Sequence, residues 1–240
     1  MEYRDLLSAR PAGHGDLKSD ANAKGQNGDA IAAGLSRDAI ARALSDKSRP
    51  GVQSDAETSR HLGEGPHVPS RPPVQDLVPA AVLIPLIRRN EGLTVLLTQR
   101  TAHLAHHPGQ ISFPGGRQEP EDANPTEAAL RETEEEIGVP RKAVDVLGLL
   151  DVYVTITGFR IVPVVGMIVP PFTVSPDSFE VKDVFEVPLA FIFDPANHQR
   201  HSRVTPNGET RFFYALPYRD RYIWGATAAM LVNLYKTLSP

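Results

Sequence analysis

Between Asn124 and Gly138 the chain carries the start and stop signals of a helix, and that helix would hold three glutamates on one face. Asn124 suits the N-cap, Pro125 the first helical position, and Glu127 lies three residues past the cap, as in a capping box. Gly138 ends the segment, because glycine enters the left-handed conformation after a helix without strain. At about 100° per residue, Glu132, Glu135 and Glu136 fall on one side, while Leu130, Thr133 and Ile137 form a separate flank suited to a core. Glu134 points off the shared face. Arg131 stands one residue before Glu132 and four before Glu135, so it can brace Glu135 across one turn. Carboxylates held together repel unless a cation relieves them, and hard oxygen ligands suit Mg²⁺, Mn²⁺ or Ca²⁺ rather than zinc. The plain alternative is a solvated acidic face, the usual fate of a charge run.

The residues upstream decide between the two. Ile111-Ser112-Phe113-Pro114-Gly115-Gly116-Arg117 is followed by Glu119, Glu121 and Asp122, then by the capped helix. Together with Arg131, Glu132, Glu135, Glu136, Gly138 and Val139, this resembles the Nudix box. The general pattern wants a glutamate eight residues before the arginine; here that position is Ala123, and Asp122 stands in for it. Thr133 replaces the usual aliphatic residue. The segment from Leu96 to Gly116, with Arg100, His103, His106, His107, Gly109 and Phe113, is similar to the signature preceding the box in the coenzyme A diphosphatase branch of Nudix hydrolases. The longer spacing with Asp122 is also that branch's. The resemblance runs from about Pro79 to the C-terminus, taking in Phe185–Leu189 and Ile223–Ala228, and leaves out the first seventy or so residues.

The resemblance implies metal-dependent hydrolysis of the diphosphate of coenzyme A or acyl-CoA, giving 3′,5′-ADP and 4′-phosphopantetheine or its acylated form. The alternatives are a Nudix diphosphatase acting on ADP-ribose or NADH, and a non-catalytic nucleotide-binding module. Mg²⁺ or Mn²⁺ would be held by Glu132 and Glu136, with Glu135 as a further ligand and the Gly116 carbonyl joining them. Glu135 is also the candidate general base, with Arg131 beside it in the catalytic group. Glu180 or Glu186, read as lying on a later acidic loop, could instead hold a metal or position water. Arg100, His106, Gly109, Phe113 and Gly115 are the candidate substrate-binding residues, Arg100 because a guanidinium pairs bidentately with phosphate. His103, His106 and His107 lack a nearby fourth ligand for zinc and read as loop packing or phosphate contacts. Trp224 reads as core, with an aromatic face for adenine stacking as the alternative.

Composition suits a cytoplasmic enzyme with a small-molecule substrate, acting as a monomer or homodimer. The chain has 240 residues and no cysteine, which removes disulfides, thiolate nucleophiles and Cys-ligated zinc. A formal charge of −4 offers no footprint for nucleic acid. No apolar run, Val78–Ile87 included, reaches the length of a membrane span. Residues 1–75 are poor in large apolar side chains and read as a largely disordered, flexible extension, with one short helix at 36–45 capped by Ser36. Residues 76–240 read as the catalytic domain. Strands are expected at Ala80–Ile87, Leu93–Thr98, Leu147–Val154, Phe159–Val169, Thr210–Leu216 and Tyr222–Trp224, and further helices at Val187–Phe193 and Ala226–Leu238. This alternation indicates an α/β layered domain with a mixed sheet; the resemblance specifies it as a Nudix-type α/β/α sandwich.

Overall fold

The first half of the chain carries helix α1 (Arg37–Leu44), strand β1 (Val52–Ser54) and helix α2 (Asp55–Leu62). Strands β2 (Val78–Arg89), β3 (Gly92–Arg100), β4 (Ile111–Ser112) and β5 (Gly115–Arg117) follow, then helix α3 (Pro125–Ile137). The second half holds β6 (Val144–Leu149), β7 (Val152–Val154), β8 (Phe159–Ile168), β9 (Val181–Pro188) and a short helix α4 (Leu189–Ile192). It closes with β10 (Gln199–Val204), β11 (Thr210–Tyr218), β12 (Arg221–Trp224) and helix α5 (Gly225–Leu238). This computed structural model describes residues 28, 31–32, 34–46, 51–63, 76–104, 107–205 and 208–239.

Among the described residues nine strands make the main sheet, along the path β1–β7–β8–β2–β3–β4, with β5 on β2, β6 on β8 and β9 on β3. β2 runs parallel to β8 and β1 parallel to β7, while the other pairs are antiparallel, so the sheet is mixed. β10, β11 and β12 form a second, antiparallel sheet. β2 is apolar almost throughout because both its faces are covered. Ala81 and Leu83 pack with Ala128, Ala129 and Leu130 of α3. Ile84 and Leu86 join Ala228, Leu231 and Leu234 of α5 on the other side. The result is the expected α/β/α sandwich. Pro85 is tolerated inside β2 because that edge changes partner there, from β5 at Ala80–Val82 to β3 at Leu86–Arg89. Its missing N–H therefore costs no ladder bond.

The part of residues 1–75 that is described is attached to this body. Ser36 accepts the Ala39 N–H at 3.2 Å, Ile40 is buried, and Arg37 reaches Asp145 of β6 at 2.6 and 3.0 Å. β1 extends the sheet beside β7. Asp55, first residue of α2, accepts the Tyr153 hydroxyl at 2.7 Å and the Ile156 N–H at 2.8 Å. The composition concealed this because few apolar side chains, Leu35 and Ile40 among them, make the attachment, and hydrogen bonds and the small residues Ala56 and Ser59 supply much of the rest. Other differences lie further on. The expected strand Leu147–Val154 breaks at Leu150 and Asp151 into β6 and β7. The expected helix Val187–Phe193 shrinks to α4, because β9 continues through Pro188. Among the described residues no helix is long and apolar enough to cross a membrane.

Candidate active site

Helix α3 carries the acidic face, and its ends are built as its sequence requires. Asn124 Oδ1 accepts the Glu127 N–H at 3.1 Å, and Gly138, at φ 69°, donates to the Glu134 carbonyl at 3.0 Å. Thr133 is wholly buried on the flank facing the sheet, where its hydroxyl donates to the Ala129 carbonyl at 2.6 Å. That internal bond is what lets a threonine occupy an aliphatic position. Glu134 faces away and pairs with Arg141 at 3.2 Å.

Arg131 uses all five of its N–H donors. Nε and one terminal nitrogen grip Asp122 in a fork at 3.1 and 3.0 Å, and that same nitrogen also donates to the Arg117 carbonyl of β5 at 3.1 Å. The other terminal nitrogen donates to Glu132 at 3.1 Å and to Glu135 at 2.9 Å. Asp122, which also accepts the Glu119 N–H at 2.8 Å, is held below its ordinary pKa chiefly by Arg131. Arg131 is thus a positioning residue: it ties the Asp122 loop, strand β5 and two glutamates to one another. Glu135 sits at the rim, its side chain 58% exposed.

Glu132 and Glu136, one helical turn apart, face the glycine loop. Glu136 accepts the Gly115 N–H at 3.1 Å. A Cβ on Gly116 would overlap the Glu132 carboxylate, and one on Gly115 would overlap the Ala81 carbonyl and the Val82 backbone of β2. Gly115 also adopts φ 150°. Only glycines let the loop lie between strand and helix at this separation. The hydrogen bonds Leu83 N–H to Pro114 and Gln118 N–H to Pro79 make Ala81 and Gly116 a bonded pair by alternation, which leaves the Gly116 carbonyl one free lone pair.

Burial is the main reason the Glu136 carboxyl is pushed up to about 8. The Gly115 N–H and Arg100 oppose the shift, whereas the charges of Glu132 and Glu180 add to it. Glu132 is raised too, again mainly by burial, with Arg131 opposing and Glu135 and Glu180 adding. Glu180 therefore belongs to this field. Arg100, at the bulged end of β3, stands between Glu136 at 3.6 Å and Glu180 at 3.9 Å. Glu186 does not join them: it lies in β9, not on a loop, and is bound by Arg89 at 3.0 Å and Thr94 at 2.6 Å.

The remaining candidates separate. His106 lies outside the described residues. His103 packs on Phe179, ring centroids 4.8 Å apart. Phe113 is 2% exposed and belongs to the core with Leu97, Ile111 and Leu216, which leaves no surface for a ligand. Gly109, at φ 71°, lines a cleft of about 410 Å³ with Gln99, Gln110, Ile111, Lys182, Asp183, Asp220, Arg221, Tyr222 and Trp224. Trp224 is thus on a cleft wall instead of in the core. Sequence reasoning missed Gln99, Asp183 and Arg221. Arg221 donates to both of the others at 2.6 Å, and no local pattern announces a contact between residues so far apart in the chain.

Among the described residues no three acidic or imidazole side chains converge on one point. The donor set nevertheless fits a hard divalent cation: a buried and a half-buried carboxylate that repel each other, and a main-chain oxygen with a free lone pair. The NUDIX domain family matches residues 77–207. The uncharacterized Nudix hydrolase NudL of Escherichia coli K12 is 42% identical over 158 residues, covering 65% of this chain and 80% of NudL. The same figures hold for NudL of Shigella boydii serotype 18. Among solved structures, the Nudix hydrolase RenU of M. smegmatis is 25% identical over 46% of this chain and 70% of its own, with a TM-score of 0.40. With its box residues gathered around Arg131 and the glycine loop, the chain belongs to the Nudix hydrolase family.

Proposed function

We propose that this Nudix hydrolase cleaves the diphosphate linkage of coenzyme A or an acyl-CoA, releasing 3′,5′-ADP and 4′-phosphopantetheine or its acylated form. Members of the family act on diphosphate linkages of nucleoside derivatives and use divalent cations; the choice of substrate is our reading. It is carried by the joining of two sequence segments. Arg100, from the stretch similar to the coenzyme A diphosphatase signature, reaches Glu136 of the box at 3.6 Å. Gly109, Gln110 and Ile111 of that stretch line the adjoining cleft.

In this reading Glu132 and Glu136, with the Gly116 carbonyl, hold Mg²⁺ or Mn²⁺. The cation, when bound, neutralises phosphoryl charge and acidifies a coordinated water. Arg100 takes up a phosphate in exchange for its longer contact with Glu180. Glu135, turned by Arg131 toward the rim, is the base or a further ligand. A cytoplasmic monomer or homodimer completes the proposal.

The test incubates the full chain with CoA and Mg²⁺ or Mn²⁺ and resolves the products by chromatography. Formation of 3′,5′-ADP supports it. Inert CoA beside brisk hydrolysis of ADP-ribose or NADH assigns a different diphosphate substrate. If wild type and Glu132→Gln bind CoA equally and neither hydrolyses anything, the protein is a binding module.

A further inference from the structure

We propose that the cleft at the end of β12 is the nucleobase subsite, with Tyr222 and Trp224 as the surface on which a purine stacks. This rests on the reading of the substrate as a nucleoside diphosphate derivative, and it names where the base goes.

Tyr222 and Trp224 are two residues apart on β12 and so project from one face of that strand. Their rings lie 27° from parallel with centroids 6.4 Å apart. The pair is held in place by its neighbours on the same face of the sheet. Phe213 packs on Trp224 at 5.3 Å, the Arg203 guanidinium lies 5.8 Å from the indole, and the Tyr222 hydroxyl is bonded to His201 Nδ1 at 2.7 Å. Tyr222 nevertheless remains 38% exposed. A fixed aromatic pair, Tyr222 exposed and Trp224 half-buried, is a ready platform for a flat ligand, whose stacking replaces unfavourable hydration. Arg221, which also lines the cleft, is fixed by Gln99 and Asp183, both at 2.6 Å, and by the Phe185 ring at 4.7 Å. The volume, about 410 Å³, lies in the range of small-molecule sites.

The position relative to the acids supports the assignment. Gln99 and Arg100 are consecutive at the end of β3, where a bulge breaks the regular alternation of side chains. Gln99 lines the cleft while Arg100 meets Glu136. A nucleoside diphosphate lying over the end of β3 would thus reach both, its base on Tyr222 and Trp224 and its phosphates at Arg100. The side chains of Gln99 and Asp183 are already engaged by Arg221, so the subsite reads the base by its face more than its edge. Adenine and guanine nucleotides should therefore both bind.

Trp224 is the only tryptophan in the chain, so its fluorescence reports on this cleft alone. Adenosine 5′-monophosphate titrated into the full chain without added metal should quench that emission saturably, guanosine 5′-monophosphate likewise, and ribose 5-phosphate should not. Tyr222→Ala should weaken the quenching roughly five- to hundredfold, the loss expected for one stacking partner, and Tyr222→Phe should restore it. Quenching without CoA turnover would keep the subsite and overturn the substrate. Turnover of CoA with emission indifferent to both nucleotides would overturn the subsite. A concentration-dependent blue shift in place of quenching would put a second copy of the chain on this face and equally refute it.

Discussion

Replacing Glu136 by glutamine isolates the electrostatic cost of the acidic face. In the metal-free protein Glu136 titrates at about 8 against an ordinary value of 4.5. The folded state holds this proton more tightly than the unfolded one, so stability falls as pH rises from about 4.5 through about 8 and then levels off. Below that window the group contributes nothing; above it the folded protein carries a buried charge. With only 6% of the side chain exposed, solvent does little to screen it. At about 1.36 kcal/mol per pH unit the full effect is about 5 kcal/mol, of which about 4 kcal/mol falls between pH 5 and pH 9. Against a total of about 5–15 kcal/mol for an ordinary domain, that is a large share. Urea unfolding in the presence of a chelator, at pH 5, 7 and 9, should show wild type losing about 4 kcal/mol more than Glu136→Gln over this range. Saturating Mg²⁺ should narrow the gap, because a bound cation stabilises the ionised form. If the two proteins lose stability in parallel, to within about 1 kcal/mol, burial does not govern this carboxyl and the reasoning fails.

Two further outcomes follow from the same geometry. Gly116→Ala places a methyl group where the Glu132 carboxylate lies, at a backbone position outside the left-handed region. We expect thermal stability to be nearly unchanged and metal-dependent hydrolysis to drop by about a hundredfold, the scale of a 1 Å misplacement, measured by initial rates and calorimetry. Asp55→Ala leaves the Tyr153 hydroxyl and the Ile156 N–H without their acceptor. It should cost about 2–4 kcal/mol in denaturant unfolding while sparing the rate below the transition; an unchanged midpoint would mean that α2 adds nothing to the fold.

How much of this was legible can be read from particular residues. The cap at Asn124, the stop at Gly138, the buried flank of α3 and the pairing of Arg131 with Glu135 are local, one turn or less apart, and were readable from spacing. β10 was missed because Gln199–Val204 carries mostly polar side chains on a half-exposed edge. β9 was missed because Lys182 and Asp183 interrupt its apolar pattern, and with it went the true place of Glu186. Phe113 looked like a binding residue within a functional signature, but its ring is consumed by the core.

By itself the sequence determined the helix, the sorting of its charges and the family, because these rest on periodicity, capping and the identity of a few adjacent residues. The tertiary structure alone decided which acids share a field, why Arg131 has no donor left for substrate, and where the aromatic rings lie. Glu180 joins Glu136 only through Arg100, and the cleft forms only where β3, β9 and β12 end together. Burial and long-range proximity set these properties. Neither is a function of spacing along the chain, so they appear only once the strands are paired.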